Sequence, residues 1–385
     1  MKKYLSAAAM LGVVSLTAHA QSSVTLYGLI DTGIVYTNNQ QGHSNWQMLS
    51  SETQNTIFGF KGDEDLGGGL HAIFKLEDGF LLQNGTEAFT NGIFGSQAWV
   101  GLQSEQYGTV TLGRQFDVMN DLVGPISAEL NTWGGSIAAH PFENDNLAAD
   151  SVIINNTVKY ASPTIAGFTF ETMYSFSNQT QFANNRVYGF AASYTTGPIN
   201  VAAGYLQFNN AGTGSGAITS SDFSANFVAQ RQRIWSLGGN YTIGPAQVGL
   251  LWSHTQIDDA AGVFSFGTGT YLGANDPSAG SLAGSLRFDN FEVNGKYALT
   301  PALTLSGSYT YTRGAYNGSS PGWNSAMLMS DYTVSKRTDF YLEAVYQNVH
   351  GAPADSVLSH AMINTLSPSS TDTQVAVTAG IRHSF

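Results

Sequence analysis

The sequence predicts an all-β fold: a 16-stranded antiparallel transmembrane β-barrel with short turns at one end and long loops at the other. Three observations carry this prediction. Apolar and polar residues alternate with period two in segment after segment. The polar face is built largely of small hydroxyl and amide residues. Tight turns alternate with longer connections rich in Gly, Ser and Asn.

Composition narrows the class. The 385 residues include no Cys, 43 Gly and 10 Pro, and only 11% are charged, against about 25% in a soluble domain. The hydrophobic fraction of 42% does not rise in compensation. With no cysteine there is no disulfide framework, and so little charge argues against a disordered acidic tail. The formal net charge of -12 argues against a nucleic-acid binder, which needs a basic face.

Residues 1–20 read as an export signal, not as part of the fold. Lys2 and Lys3 precede an apolar stretch, Leu5 to Thr17, which is too short to span a bilayer as a helix. Ala18-His19-Ala20 is a cleavage site of the A-x-A kind. Removal before Gln21 leaves residues 21–385 as the barrel, with a formal charge of -14. No later run approaches the roughly 18 apolar residues of a membrane helix.

The strands follow in order. Val24, Leu26 and Ile30 alternate with Thr25, Tyr27 and Asp31; Leu70, Ala72, Phe74 and Leu76 alternate with His71, Ile73, Lys75 and Glu77. Leu303, Leu305, Tyr309 and Tyr311 alternate with an unbroken line of Ser and Thr. Val375, Val377, Ala379 and Ile381 alternate with Ala376, Thr378, Gly380 and Arg382. Seven short turns join such segments: Asp63 to Gly68, Ser104 to Gly108, Ser162 to Gly167, Thr196 to Ile199, Ile243 to Ala246, Leu299 to Ala302 and Ser335 to Thr338. With eight longer loops they connect 16 strands, leaving about 23 residues for each strand and its connection, ample for about 9–11 residues across the membrane. A secreted sandwich or β-helix would also alternate. The hydroxyl-lined second face, the aromatic strand ends and the asymmetric connections favour the barrel, whose closure leaves no backbone group unpaired in lipid. About 16 strands enclose water.

Particular strings then resemble the general trimeric porins of Gram-negative outer membranes. They are Ser23-Val24-Thr25-Leu26-Tyr27-Gly28, Gly59-Phe60-Lys61-Gly62, Ala98-Trp99-Val100-Gly101-Leu102, Tyr107-Gly108-Thr109-Val110-Thr111-Leu112-Gly113-Arg114-Gln115 and Asn155-Asn156-Thr157-Val158-Lys159-Tyr160. The terminal Phe385 matches the residue read during barrel insertion in that family. The resemblance implies a homotrimer in the outer membrane, in contact with lipid and lipopolysaccharide, passing small hydrophilic solutes and ions. It further implies that the long loop after strand five, here 115–151, folds into the lumen and constricts it. That loop holds Asp117, Asp121, Glu129, Glu143, Asp145 and Asp150 and no Lys or Arg.

The chain departs from the family pattern at the wall facing this loop. The family's arginines on strands two, four and six match Ile57, Ser96 and Ile153 here. The alternation places Ile57 on the face of Lys61, and Ile153 on the face of Asn155, Thr157 and Lys159, both pointing inward. Lys61, Lys75, Lys159 and His71 remain as wall charges. The expectation is a cation-preferring or weakly selective pore; the alternative is a solute-specific porin with a saturable site at the constriction. Asn131-Thr132-Trp133-Gly134-Gly135 stands where the family loop carries an acid, which leaves Glu129 as the nearest one. Glu87 resembles the family's loop acid that pairs across subunits with the base of the Gly-Arg-Gln motif, here Arg114. No enzyme motif assembles: the histidines are dispersed, and no H-E-x-x-H or G-x-S-x-G occurs. No cofactor or metal is expected.

Overall fold

The computed structural model describes residues 23–89, 92–130, 134–149, 152–180, 182, 184–211, 217, 225–265, 268, 270–272 and 282–385. The expected signal 1–20, loop residues Asn131, Thr132, Trp133, Asp150 and Ser151, and the Gly-rich run Gly212 to Gly216 lie outside the described residues.

Among the described residues, nineteen strand segments form one sheet. In chain order they are β1 (Ser23–Gln40), β2 (His43–Ser50), β3 (Ile57–Gly67), β4 (Leu70–Gly79), β5 (Gln97–Ser104), β6 (Gly108–Gln115), β7 (Ile154–Ala161), β8 (Phe168–Ser175), β9 (Val187–Thr196) and β10 (Ile199–Ala211). They continue as β11 (Phe227–Ile243), β12 (Ala246–Ala260), β13 (Gly262–Ser265), β14 (Thr270–Leu272), β15 (Gly284–Ala298), β16 (Leu303–Tyr316), β17 (Gly322–Ser335), β18 (Thr338–His350) and β19 (Thr373–Ser384).

These segments make a closed 16-strand antiparallel barrel. Two features reconcile the counts. β2 and β3 both pair with β1, through Thr32–Gln40 and Ser23–Leu29 respectively, so together they are one stave interrupted at 51–56. β13 and β14 form a loop hairpin, while β12 pairs directly with β15. The barrel closes where Leu29–Thr37 of β1 meets β19. At its foot the Gly28 N–H donates to the Phe385 carbonyl (3.2 Å) and the Phe385 N–H donates back to Gly28 (3.0 Å). A side chain at Gly28 has no room, since a Cβ would sit 2.6 Å from the Ile57 carbonyl oxygen as well as against the Phe385 ring.

Residues opposite each other on neighbouring strands share a face, and the register therefore sorts inside from outside. Val100, Leu102 and Leu112 are 58%, 50% and 51% exposed on the outer surface, where lipid replaces water as the surrounding medium. Asp31, Thr111 and Thr157 point in and are buried. All seven expected short turns are present at one end. Tyr107, Phe168, Tyr241, Tyr297 and Tyr332 stand exposed beside them, as an aromatic girdle at a membrane interface does.

Candidate pore constriction

The connection between β6 and β7 turns inward because its apolar residues match an apolar inner wall. Val118, Met119, Val123, Ile126 and Leu147 pack against Met173 of β8, Val187 and Ala191 of β9, Leu206 and Phe208 of β10, Ile234 of β11 and Leu251 of β12. Ala128, Ile137 and Ala138 reach Val35, Met327, Tyr341 and Val345 on the far side. Phe142 then sits edge-on to Trp323, with ring centroids 5.8 Å apart. The loop thus crosses the lumen.

Its acids are mostly turned away from the channel water. Asp117 caps the short helix α1 (Val118–Leu122), accepting from the Met119 and Asn120 N–H groups (2.7 and 3.2 Å) and from Asn146. It is fully buried, and that burial pushes its carboxyl up to about 6. Glu129 is also fully buried, behind the loop. His140 lies among three carboxylates. Its Nδ1 is 2.7 Å from both Glu129 and Asp145, and its Nε2 is 3.0 Å from Glu292 of β15. Burial alone would lower the His140 pKa, but the carboxylates of Glu129 and Asp145 outweigh it and hold the imidazole well above its usual range. Burial likewise raises the Glu129 carboxyl. The expected placement of Asp117 and Glu129 on the pore lip is therefore corrected: one caps a helix and the other anchors the loop. Glu129, His140 and Asp145 bring three ligand atoms within 4.8 Å of one another. Their 2.7 Å contacts suit a shared proton better than a metal about 2.0–2.2 Å from each ligand.

Among the described residues of the loop, Phe116, Asp121, Leu122, Pro125 and Leu130 keep some exposure to the channel. Asp121 is tied to Lys159 on β7, and Lys159 Nζ also donates to the Phe116 carbonyl (3.0 Å). Across the lumen, Ile57 pairs with Leu29 and Gly79 on the inner face, in phase with Gly59 and Lys61. Ser96 is inside and buried, its hydroxyl donating to Glu77 (2.6 Å). Ile153 departs from its expected phase. The β6–β7 register shifts beyond Gly113, so that Ile154 pairs with Gln115, and Asn156 at φ 54° carries the bulge. Ile154 takes the inner face against Val118 and Met119, and Ile153 precedes the strand, 2% exposed.

Two supports were not legible beforehand. The 51–56 break sends Thr53 and Gln54 over Asp31, whose Oδ2 accepts from the Thr53 N–H (2.8 Å), the Thr53 hydroxyl (2.6 Å) and the Gln54 N–H (2.7 Å). The loop tip rests on this break: the Ile137 N–H donates to the Glu52 carbonyl (3.1 Å). The external loop between β18 and β19 lies on top, its Asn364 donating to the Ser136 carbonyl (3.0 Å) and to Glu143 (2.6 Å). Glu292 could have been found, because Asn290, Glu292 and Asn294 form a polar inner face opposite Phe291 and Val293.

Arg114 is half-buried in phase with the outward Leu112. It donates to the Gly95 carbonyl and to Asn155 Oδ1, both at 2.6 Å, so contacts within its own chain already serve it. Glu87 is exposed beside Phe80.

Comparison with known proteins agrees with this architecture. The pattern of the Gram-negative porin family matches residues 7–352. An outer membrane porin of Bordetella pertussis is 31% identical over 90% of this chain and 94% of its own. Outer membrane porin protein 32 of Delftia acidovorans is 32% identical over 73% of this chain and 77% of its own. Among solved structures, an anion-selective porin from Comamonas acidovorans superposes with a TM-score of 0.71 at 21% identity, covering 94% of this chain and 100% of that one. OmpT of Vibrio cholerae does so at 0.65 and 17%, covering 97% and 100%. A barrel with a lipid-facing exterior, a polar interior and a loop folded across its lumen, matched along most of its length by these relatives, is a channel of the outer membrane: the chain belongs to the Gram-negative porin family.

Proposed function

We propose that this porin passes small hydrophilic solutes and ions by passive diffusion, with weak selectivity that favours cations. One observation carries the reading: the inner wall opposite the loop bears Ile57 and Ser96 where a base would set anion preference. Among the described residues, three of the bases that face inward are matched by acids, while Lys61 and Lys296 have no ion-pair partner. Lys159 meets Asp121, Lys75 meets Glu77 (3.0 Å), and Arg382 meets Asp331 and Asp339. A unit charge about 8 Å from an ion in water contributes about 0.5 kcal/mol, so the two absent charges amount to roughly fivefold in ion preference before salt screening. Because Asp117 and Glu129 are buried, the loop adds less negative field than its acid count implies.

The Comamonas acidovorans structure is of an anion-selective porin; at that identity the likeness speaks to fold, and selectivity follows from the side chains present here. The experiment is a reversal-potential measurement on the purified channel in a salt gradient. A small potential of cation sign is expected, and clear chloride selectivity would overturn the reading.

The same proposal includes export through residues 1–20, use of Phe385 as an insertion signal, and a homotrimer with Glu87 reaching Arg114 of a neighbour. It places lipid and lipopolysaccharide on the outer face. A saturable solute site is the second reading, and the wall below the constriction favours it.

A further inference from the structure

The inner wall between Ile57 and the short-turn mouth carries an arrangement that bulk conduction does not need. Lys61 of β3 lies directly opposite Lys75 of β4, and Lys75 directly opposite Trp99 of β5, so the three side chains stand in one row facing the lumen. Both ammonium groups flank the same ring, 5.4 and 5.8 Å from the centroid of Tyr27. Together with Thr25 and Asp63 they line a hollow of about 540 Å³.

Like charges directly opposite each other on a sheet repel. One carboxylate relieves the pair: Glu77 binds Lys75 at 3.0 Å and accepts from the Tyr27 hydroxyl at 2.8 Å. Among the described residues no carboxylate pairs with Lys61. Asp63, at the rim, is engaged with His71 Nδ1 at 2.8 Å. The hollow therefore sets two ammonium groups beside two aromatic faces, with Glu77 committed to Lys75 and Asp63 to His71, so that the near neighbour of the Lys61 ammonium is the Tyr27 ring and not a carboxylate.

We propose that this row is a binding subsite for small aromatic carboxylates. The carboxylate of the solute pairs with Lys61, with Lys75 next to it in the same row, and its ring lies against Trp99 or Tyr27. Such a site sits below the constriction and loads solute without making the narrowest point anion-selective. The inference rests on the open-channel reading above and deepens it by naming a solute class.

The test is conductance of the purified protein in planar bilayers with benzoate added, benzyl alcohol and acetate serving as controls. Benzoate is expected to reduce the potassium chloride current in a saturable way, acetate less, and benzyl alcohol not at all. Lys61→Gln should raise the half-blocking benzoate concentration about fivefold, the worth of one charge at about 4 Å in water. Trp99→Leu should bring benzoate down to the level of acetate, and a strand-dominated far-ultraviolet circular dichroism spectrum matching the parent protein shows that each variant is folded. The proposal is overturned if benzoate acts no more strongly than benzyl alcohol. It is equally overturned if Lys61→Gln and Lys75→Gln both leave the half-blocking concentration unchanged. Absence of any potassium chloride current would instead strike the channel reading itself, so the two failures are distinguishable.

Discussion

Replacing His140 should release the infolded loop. This imidazole touches Glu129 and Asp145 of the loop at 2.7 Å and Glu292 of the barrel wall at 3.0 Å, all of them buried. His140→Ala leaves three carboxylates facing one another with no base between them. Removing one partner of a buried ion pair typically costs about 3–5 kcal/mol. That cost falls on the anchored state of the loop and not on the barrel, whose strands are held by their own ladders. Amide exchange over residues 117–149 should then quicken by about a hundredfold or more, while exchange in β11 and β12 is unchanged. His140→Gln, which is uncharged and carries both its donors on one nitrogen, should fall between. The sign with pH follows from the same groups. His140 and Glu129 both hold protons more tightly when anchored than when released, so the anchored state binds more protons and is favoured at lower pH. The His140 contribution is complete below about 6.5 and fades as pH rises through its raised value; that of Glu129 is complete below about 4.5 and fades as pH climbs beyond it. After correction for intrinsic exchange, loop protection should weaken into the alkaline range. Wild-type protection of 117–149 in His140→Ala would refute the anchoring argument.

Three further outcomes follow. Asp121→Asn frees the Lys159 ammonium beside the lip and should move the reversal potential toward anions, by about 0.5–1 kcal/mol for one charge in water. Gly135 holds φ 62°, ψ -162°, and a Cβ there would lie 2.0 Å from the Thr53 carbonyl; Gly135→Ala should cost about 1–3 kcal/mol in backbone strain alone, read as faster exchange in 135–140. Glu87→Ala should lower the melting temperature of the assembled protein if that loop reaches Arg114 of a neighbour, and an unchanged value would remove the contact.

The barrel was legible because each strand carries its own record of inside and outside. Ile57 and Lys61 could be placed on the inner face from Phe58 and Phe60 between them, and the seven turns from their Gly, Pro and polar residues. The loop was less legible. Its acids suggested a negative lip, yet Asp117 turns back to cap a helix and Glu129 turns back to His140, because a connection without period gives no signal of which side meets water. Ile153 was misplaced for a local reason: one bulge at Asn156 reverses the phase of everything before it. The 51–56 break is visible only once Asp31 is seen gathering the Thr53 and Gln54 N–H groups.

The most direct measurement of the central claim uses the absence of native cysteine. Ile57→Cys and Phe60→Cys place a thiol on the inner and outer faces of the same strand, and a membrane-impermeant, positively charged thiol reagent is added while single-channel current is recorded. The account predicts that the thiol at position 57 reacts and that its adduct shifts the channel toward anions, while the thiol at position 60 leaves the current unaltered. A current change from position 60 with silence from position 57 would contradict it.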